Sequence, residues 1–219
     1  MQKFSNFMFT HTLRRGLLLL VLSAACATAG AADTYKRLSK PQPTEDPDRI
    51  EVLEIFWYGC PHCNDFEPYL NDWIENKPDD VNFRRMPAVF RQDWLAHARA
   101  YYTALELGVV DKIHSDLFHE IHSRQRRVND EESLRKFFMQ RGVDGDTFTK
   151  TYNSHAVESR IKQALSMLRR YEVTGVPAVV VNGKYVTSGP LARSYEGMIQ
   201  TINELIDKER DAMQQTSTD

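Results

Sequence analysis

The order of apolar and polar residues along the chain predicts a strand, a helix and a second strand after a polar lead-in. Residues 50–58 are almost continuously β-branched, aromatic or aliphatic, which indicates a buried strand that Gly59 ends. A helix is predicted from Cys60, with Pro61 at its first position, where proline is favoured. Residues 81–90 predict the second strand.

The rest of the pattern predicts a block of helices, then a hairpin and a last helix. Helical periodicity runs in several pieces from about residue 94 to residue 171. Two apolar runs flank Asn182-Gly183, a pair that fits a tight hairpin turn. An amphipathic helix covers roughly residues 194–213. Because the helical block interrupts an α/β unit, it indicates an inserted lobe.

The first thirty residues have the pattern of a secretory signal. Lys3 and Arg14-Arg15 precede an apolar run over residues 17–22, and small residues follow through Ala32. The run is too short to span a bilayer, which needs about 20 residues. We therefore expect export and cleavage near Ala31. A lipid anchor at Cys26 is a less favoured alternative, because the residues before it do not match a lipoprotein signal.

Charge after cleavage argues against nucleic acid as a partner. The remaining chain carries 25 Lys and Arg against 30 Asp and Glu, a net charge of −5. Nucleic-acid binders usually present a basic face. With no other segment long and apolar enough to cross a membrane, the mature chain is expected to be soluble.

Cysteine usage gives the most specific chemical indication. Of the three cysteines, Cys26 lies in the expected signal, which leaves Cys60 and Cys63 two residues apart within the motif Cys60-Pro61-His62-Cys63. So short a loop stabilises little as a disulfide staple, which indicates that the pair serves chemistry. A zinc site completed by distant histidines and a purely structural disulfide remain alternatives.

Thiol–disulfide exchange needs a stable thiolate, and the start of the predicted helix favours the ionised form of the Cys60 thiol. Cys60 lies at the positive end of the helix dipole, and His62 can add positive charge or a donor. Cys60 is therefore expected to be the exposed sulfur that forms a mixed disulfide, and the more buried Cys63 the one that resolves it. Stabilising the thiolate stabilises the reduced form, so the disulfide form becomes an oxidant.

These residues resemble the DsbA family of periplasmic thiol:disulfide oxidoreductases, in the thioredoxin superfamily. The likeness extends from about residue 51 to residue 206 and is sharpest at the Cys60–Cys63 motif and at Thr174-Gly175-Val176-Pro177. It implies an α/β thioredoxin fold with an inserted α-helical domain. The segments are then a signal peptide, an extended lead-in, a first thioredoxin-like part, the helical insertion and a second thioredoxin-like part, at residues 1–31, 32–49, 50–93, 94–166 and 167–219.

The resemblance also implies roles for residues outside the cysteine motif. Pro177 is expected to follow a cis peptide bond facing Cys60 and Cys63, with Val176 offering backbone groups to an extended substrate. Glu54, six residues before Cys60, is expected to assist proton movement at the buried cysteine, unless strand alternation turns it to solvent. Arg85 lies near the position of the family's basic partner of that acid, but the alignment there is loose.

The implied activity is disulfide donation by a periplasmic monomer. Its substrates would be reduced, unfolded exported proteins, and a quinone-linked membrane oxidase of the DsbB type would restore the Cys60–Cys63 disulfide. That disulfide carries the electrons, so no metal or organic cofactor is expected. A reductase or isomerase on the same fold is the nearest alternative, and a peptide-binding or chaperone module is an alternative from another class.

Three other features carry weaker indications. His119-Glu120-Ile121-His122 is one residue short of a zinc-protease motif, and together with His114 it is interpreted as a set of histidines on a solvated or partly packed face. Residues 124–127 form a short basic cluster, interpreted as a solvated loop. Trp57 and Tyr58 could shape a substrate surface or fill the core.

Overall fold

The computed structural model describes residues 33–216. The expected signal peptide and Cys26 lie outside these residues. Among the described residues, no helix is long and apolar enough to cross a membrane.

The described residues form one mixed five-stranded sheet in the order β1-β5-β4-β2-β3. The strands, in chain order, are Lys36–Arg37, Ile50–Phe56, Val81–Pro87, Ala178–Val181 and Tyr185–Ser188. β2 pairs parallel with β3 and antiparallel with β4, and the β1–β5 and β4–β5 pairs are antiparallel. β2 is therefore an interior strand of this sheet, with β4 on one side and β3 on the other.

Eight α-helices lie among the described residues. In chain order α1 to α8 are Pro61–Asn76, Leu95–Glu106, Val110–Phe118, Glu131–Met139, Gly145–Tyr152, His155–Arg170, Gly189–Ala192 and Tyr195–Thr216. A 3₁₀ turn over Gln92–Trp94 precedes α2, and a π-helical turn over His119–Ser123 continues α3. Five of these helices, α2 to α6, follow one another between β3 and β4.

The alternation along the buried strands assigns their two faces to two separate cores. On β2, Leu53 and Ile55 pack in the core formed mainly with the α2–α6 helices. Val52, whose side chain is on the opposite face of β2 from Leu53, packs with residues of α1 and α8, including Leu70 and Ile202. This alternation follows from the period of two along a strand. It places Glu54, two residues beyond Val52, on the face that α1 covers.

The lead-in, predicted only as an extended segment, is in part a strand of the sheet. Lys36 and Arg37 form the edge strand β1, paired with Val186 and Tyr185 of β5, and Leu38 is buried. Backbone N–H groups of Leu38 and Gln42 donate to carbonyls of the β4–β5 turn. A strand of two residues is too short to show a period in sequence, so its pairing depends on β5.

β2 and β3 both end earlier than the sequence predicts. β2 ends at Phe56, two residues earlier than predicted, because the next residues turn toward α1, with the Cys60 N–H donating to the Trp57 carbonyl at 2.9 Å. β3 ends at Pro87, three residues early. Proline lacks the N–H that a continuing ladder needs.

Candidate active site

The two cysteines lie at the start of α1, directly after the central strand. Cys60 is the N-cap residue and Pro61 the first helical residue, as predicted. Pro61 needs no partner there, since the first helical N–H groups have none within the helix. Gly59 leaves room for the Trp57 ring in the turn before Cys60, because a Cβ at this position would lie 2.3 Å from that ring and the ring would have to shift. This turn presents the Cys60 sulfur at the free amide groups of α1.

The two sulfurs differ in accessibility and in acidity. Both are free thiols in the structure, which is the reduced form, with Cys60 8% exposed and Cys63 fully buried. Cys60 is thus less exposed than predicted, although it remains the more accessible of the two. The hydrogen bond from the Cys63 side chain, helped by backbone N–H groups of Cys63 and His62 and by the charge of His62, lowers the pKa of Cys60 from 9.0 to about 6 against the effect of burial.

The same contact acts in the opposite direction on Cys63. Burial, and then the hydrogen bond to Cys60, raise the pKa of the Cys63 thiol far above its usual value. At neutral pH the pair therefore consists of a Cys60 thiolate and a protonated Cys63 that donates to it. The Cys60 sulfur can therefore act as a nucleophile or as a leaving group. The Cys63 sulfur, whose pKa is raised, must gain a proton when a disulfide bond to it breaks.

The loop before β4 faces Cys60. The Val176–Pro177 peptide bond is cis, which confirms the implication of the family resemblance. The Cys60 Sγ lies 3.6 Å from the Val176 carbonyl oxygen. Beside this loop lies a groove of about 300 Å³ lined partly by Val173, Val176 and Leu191. Backbone and apolar surface are therefore available next to the reactive sulfur.

His62, between the cysteines, contacts a residue that the sequence did not single out. Its Nδ1 lies 3.3 Å from the Tyr195 hydroxyl at the start of α8. The Tyr195 ring also packs against Phe66 and Tyr69 of α1. Tyr195 is 133 positions from His62, and no local motif marks it, so only the packing of α8 on α1 brings the two together.

Glu54 lies in a buried polar cluster under α1. It is fully buried, so the alternative that it faces solvent is wrong. The Arg85 Nε donates to Glu54 Oε2 at 2.9 Å, across the register of β2 and β3, where these residues are direct neighbours. The loosely aligned arginine is therefore the basic partner of this acid. Burial, and then the charge of Glu67, raise the pKa of Glu54 to about 8 even though Arg85 opposes the shift.

A second carboxylate and a histidine complete this cluster. Glu67 Oε1 lies 3.2 Å from His114 Nε2, and the Tyr58 hydroxyl lies 3.0 Å from His114 Nδ1. Asn71 donates to Glu67 and accepts from Arg85. The prediction that His114 lies on a solvated or partly packed face is wrong, since the residue is 3% exposed. The sequence did not single out Glu67 or give His114 a role at the site, because the contacts of His114 with Glu67 and Tyr58 join residues 47 and 56 positions apart.

These acidic and imidazole groups form a hydrogen-bonded polar cluster with Arg85. Donor atoms of Glu54, Glu67 and His114 lie within 4.8 Å of one another. However, the Arg85 guanidinium already supplies positive charge to both carboxylates, at 2.9 Å from Glu54 and 3.7 Å from Glu67. A divalent cation at the same place would be repelled by that guanidinium.

Trp57 and Tyr58 differ in their burial. Tyr58 is fully buried, as a core residue is, and its hydroxyl bonds His114. Trp57 is half-buried, stacks on Trp94 with ring centroids 4.0 Å apart, and lines an open pocket beside Gly59. In the basic loop, the side chains of Arg124 and Arg126 pair with Glu120.

Comparison with known proteins agrees with this geometry. The model of the family described as a DSBA-like thioredoxin domain matches residues 85–196. Proteins named thiol:disulfide interchange protein DsbA are similar over almost the whole chain. The one from Pseudomonas syringae pv. tomato is 39% identical over 207 residues, or 94% of this chain and 97% of its own length. The one from Burkholderia cepacia is 33% identical over 92% of this chain and 96% of its own length.

Solved structures give the same result for the fold. The crystal structure of Pseudomonas aeruginosa DsbA is 40% identical in sequence and covers 83% of this chain and 95% of its own, with a TM-score of 0.80. The oxidoreductase DsbA from Xylella fastidiosa is 33% identical, covers 82% of this chain and 96% of its own, and has a TM-score of 0.76. The expected thioredoxin fold with inserted helices is confirmed.

Proposed function

Since this chain belongs to the DsbA family of thiol:disulfide oxidoreductases, we propose that it donates a Cys60–Cys63 disulfide to exported proteins through a mixed disulfide at Cys60. The observation that carries this proposal is the asymmetry of the pair. Cys60 lies at the N-terminus of α1, in reach of the Val176 carbonyl, whereas Cys63 is fully buried. An incoming thiolate can therefore reach only the first sulfur.

The reaction proceeds in two exchanges. A substrate thiolate attacks the Cys60 sulfur of the oxidised protein, a substrate–Cys60 disulfide forms, and Cys63 leaves with the electron pair of the broken bond. The second substrate thiolate then attacks the substrate sulfur of that mixed disulfide. Cys60 leaves as a thiolate, the substrate carries the new disulfide, and the protein has gained two electrons.

Thiolate stability sets the direction of transfer. The lowered pKa of Cys60 favours the reduced protein at neutral pH, and whatever stabilises the reduced form makes the disulfide more oxidising. For a two-electron couple, about 1.4 kcal/mol corresponds to about 30 mV. This argument favours disulfide donation over the alternative of a reductase or isomerase on the same fold.

Three neighbours support the exchange at Cys60. The Val176 carbonyl, 3.6 Å from the sulfur, can accept a backbone N–H of an extended substrate beside Pro177, and the adjacent groove can take its apolar side chains. The charge of His62 favours the Cys60 thiolate. Glu54, whose raised pKa keeps it protonated at neutral pH, can give a proton to Cys63 when that sulfur leaves.

Membership of the family supports a proposal for the setting of the reaction. We place the mature chain in the periplasm as a monomer, after cleavage of the predicted signal peptide. A quinone-linked membrane oxidase of the DsbB type would take the two electrons and restore the disulfide. The Cys60–Cys63 disulfide itself carries the electrons, so the exchange requires neither a metal nor an organic cofactor.

The direct test is stoichiometric oxidation of a reduced, unfolded two-thiol protein by the purified oxidised chain. We expect one substrate disulfide formed for each Cys60–Cys63 pair reduced. Cys60→Ser should lose this activity completely. Cys63→Ser, first converted at Cys60 to a mixed disulfide with glutathione, should release glutathione on attack by a substrate thiolate and hold a substrate–Cys60 disulfide that mass spectrometry detects. A peptide-binding module would behave differently, because Cys60→Ser would keep its full activity.

A further inference from the structure

His114 is a buried titratable residue for which the exchange at Cys60 has no direct use. It lies on α3, is 3% exposed, and is surrounded by the rings of Phe56, Tyr101 and Phe118. Both ring nitrogens nevertheless have polar partners, the Tyr58 hydroxyl at 3.0 Å and Glu67 Oε1 at 3.2 Å. A histidine satisfied on both sides in an apolar setting has a defined orientation.

The two partners fix which nitrogen carries the proton. Burial raises the pKa of Tyr58 well above its usual value, so this hydroxyl keeps its proton and can donate a hydrogen bond to Nδ1. Burial lowers the pKa of His114, so the ring is neutral and carries a single N–H. Against the effect of burial, the hydrogen bond to His114 lowers the pKa of Glu67, and a carboxylate can only accept, so the N–H is on Nε2. That N–H points at Glu67 and donates to Oε1.

The cluster around Glu67 holds more acid than base. Glu54 and Glu67 share one guanidinium, Arg85, while Tyr58, Tyr101 and Cys63 are neutral groups nearby. Two buried carboxylates beside one cation leave one negative charge uncompensated, which burial disfavours. One of the two carboxyls must therefore hold a proton at neutral pH.

Hydrogen bonding decides between them. Glu67 accepts from His114 and Asn71, and the Arg85 guanidinium lies 3.7 Å away. Glu54 accepts from Arg85 alone, and its Oε1 is buried with no hydrogen-bond partner. Donors stabilise the ionised form of an acid, so the charge belongs on Glu67 and the proton on Glu54.

We propose that His114 is a positioning residue which, by donating to Glu67, holds the negative charge of the cluster on α1 and leaves its proton on Glu54 of the central strand. This rests on the proposed function, in which Glu54 gives that proton to the Cys63 sulfur. The transfer converts Glu54–COOH and Cys63–S⁻ into Glu54–COO⁻ and Cys63–SH, and solvent later restores the proton on Glu54. Without the His114 donor, Glu67 competes for the same proton.

The test is a pH titration of side-chain carboxyl carbons by NMR in the full mature chain labelled at glutamate. Glu54→Gln and Glu67→Gln identify the two resonances by their loss. In the wild type we expect Glu54 to be protonated and Glu67 ionised at neutral pH. In His114→Phe, which keeps an aromatic ring but donates nothing, Glu67 should titrate at higher pH and Glu54 at lower pH than in the wild type.

Two further variants separate the donor from the packing. His114→Gln keeps a side-chain N–H for Glu67 and should restore the wild-type titrations of both carboxyls. Tyr58→Phe removes only the hydroxyl on the far side of the ring, so the proton should stay on Glu54. If His114→Phe leaves both titrations unchanged, or His114→Gln behaves as His114→Phe does, the proposal is wrong.

The proposal also predicts a kinetic effect. The first exchange with a substrate thiol should slow in His114→Phe by about tenfold, equivalent to about 1.4 kcal/mol in the barrier. A result that contradicts the role of His114 is distinguishable from a result that contradicts the proposed function. A wild-type protein that oxidises no dithiol contradicts the function, whereas a proton found on Glu67 in the wild type contradicts the role of His114, whether or not any variant folds.

Discussion

At the scale of single residues, the two cysteines owe their difference to one hydrogen bond and to unequal burial. The Cys63 thiol donates to the Cys60 sulfur, which lowers the pKa of one and raises that of the other. The charge of His62 acts on Cys60 in the same direction but is the smallest of the contributions named above. The helix start thus supplies the thiolate mainly through short-range donors.

This order of contributions predicts the outcome of two substitutions. Cys63→Ala and His62→Ala should both raise the pKa of Cys60, and Cys63→Ala should raise it more, because it removes the larger contribution. Ultraviolet absorbance of the thiolate, followed against pH in the two variants, measures the effect. A larger rise in His62→Ala would show that the imidazole, and not the second thiol, is the main source of thiolate stability.

The same lowered pKa predicts how the stability of the reduced protein depends on pH. Because the Cys60 pKa falls from 9.0 to about 6 on folding, the unfolded chain binds more protons between these values. The free energy of unfolding therefore gains a contribution that rises with pH across this window, is full above pH 9 and is lost as pH falls through about 6.

Urea unfolding of the reduced protein, with Cys60→Ala measured in parallel, isolates this contribution. The control is needed because Glu54, with its pKa raised to about 8, gives an opposite slope in both proteins. The difference in unfolding free energy, wild type minus Cys60→Ala, should increase from pH 6 to pH 9. A difference that stays flat or decreases would mean that the thiolate is not stabilised by the fold.

Local sequence predicts the site residues of the motif but not those of the buried cluster. Cys60, Pro61 and Cys63 are adjacent in the chain, and their helix start is visible in the pattern. Glu67, His114 and Tyr195 occupy ordinary helical positions, where a polar residue usually faces solvent. Their contacts arise only when α3 and α8 pack beside α1, which no periodicity of a single element reveals.

At the scale of elements, the β4–β5 hairpin joins the lead-in to the sheet. Its turn has Asn182 at φ 48° and Gly183 at φ 61°, both positive, as a primed turn requires. The lead-in crosses so close that a Cβ on Gly183 would lie 2.1 Å from the Gln42 carbonyl oxygen. The Asn-Gly pair was readable in the sequence, whereas the strand that packs against it was not.

We therefore expect Gly183→Ala to destabilise the fold more than Gly108→Ala does. Gly108 also has a positive φ, 65°, but a Cβ there meets nothing within 4 Å. Its substitution should cost only the backbone strain of a left-handed residue, about 1 kcal/mol. Gly183→Ala adds the clash with the lead-in and should cost more, as measured by urea unfolding. Equal losses would show that the lead-in is not held against the turn.

At the scale of the whole molecule, the chain combines a cysteine pair at the start of α1 with a buried cluster of carboxyl groups and an arginine. The sheet face under α1 holds the polar cluster of Glu54, Glu67 and Arg85, and the opposite face packs on the α2–α6 helices. The order of the longer strands and helices was predictable because each of them has a clear period, whereas the two-residue β1 was not. The position of α3, which brings His114 over Glu67, required the full packing of the helices against α1.

The measurement that tests the central claim most directly is the reduction potential of the Cys60–Cys63 pair, equilibrated in glutathione buffers. A potential well above that of glutathione is expected, because the Cys60 thiolate stabilises the reduced protein. Such a value would establish a donor of disulfides. A potential near or below that of thioredoxin would contradict the account and identify a reductase on the same fold.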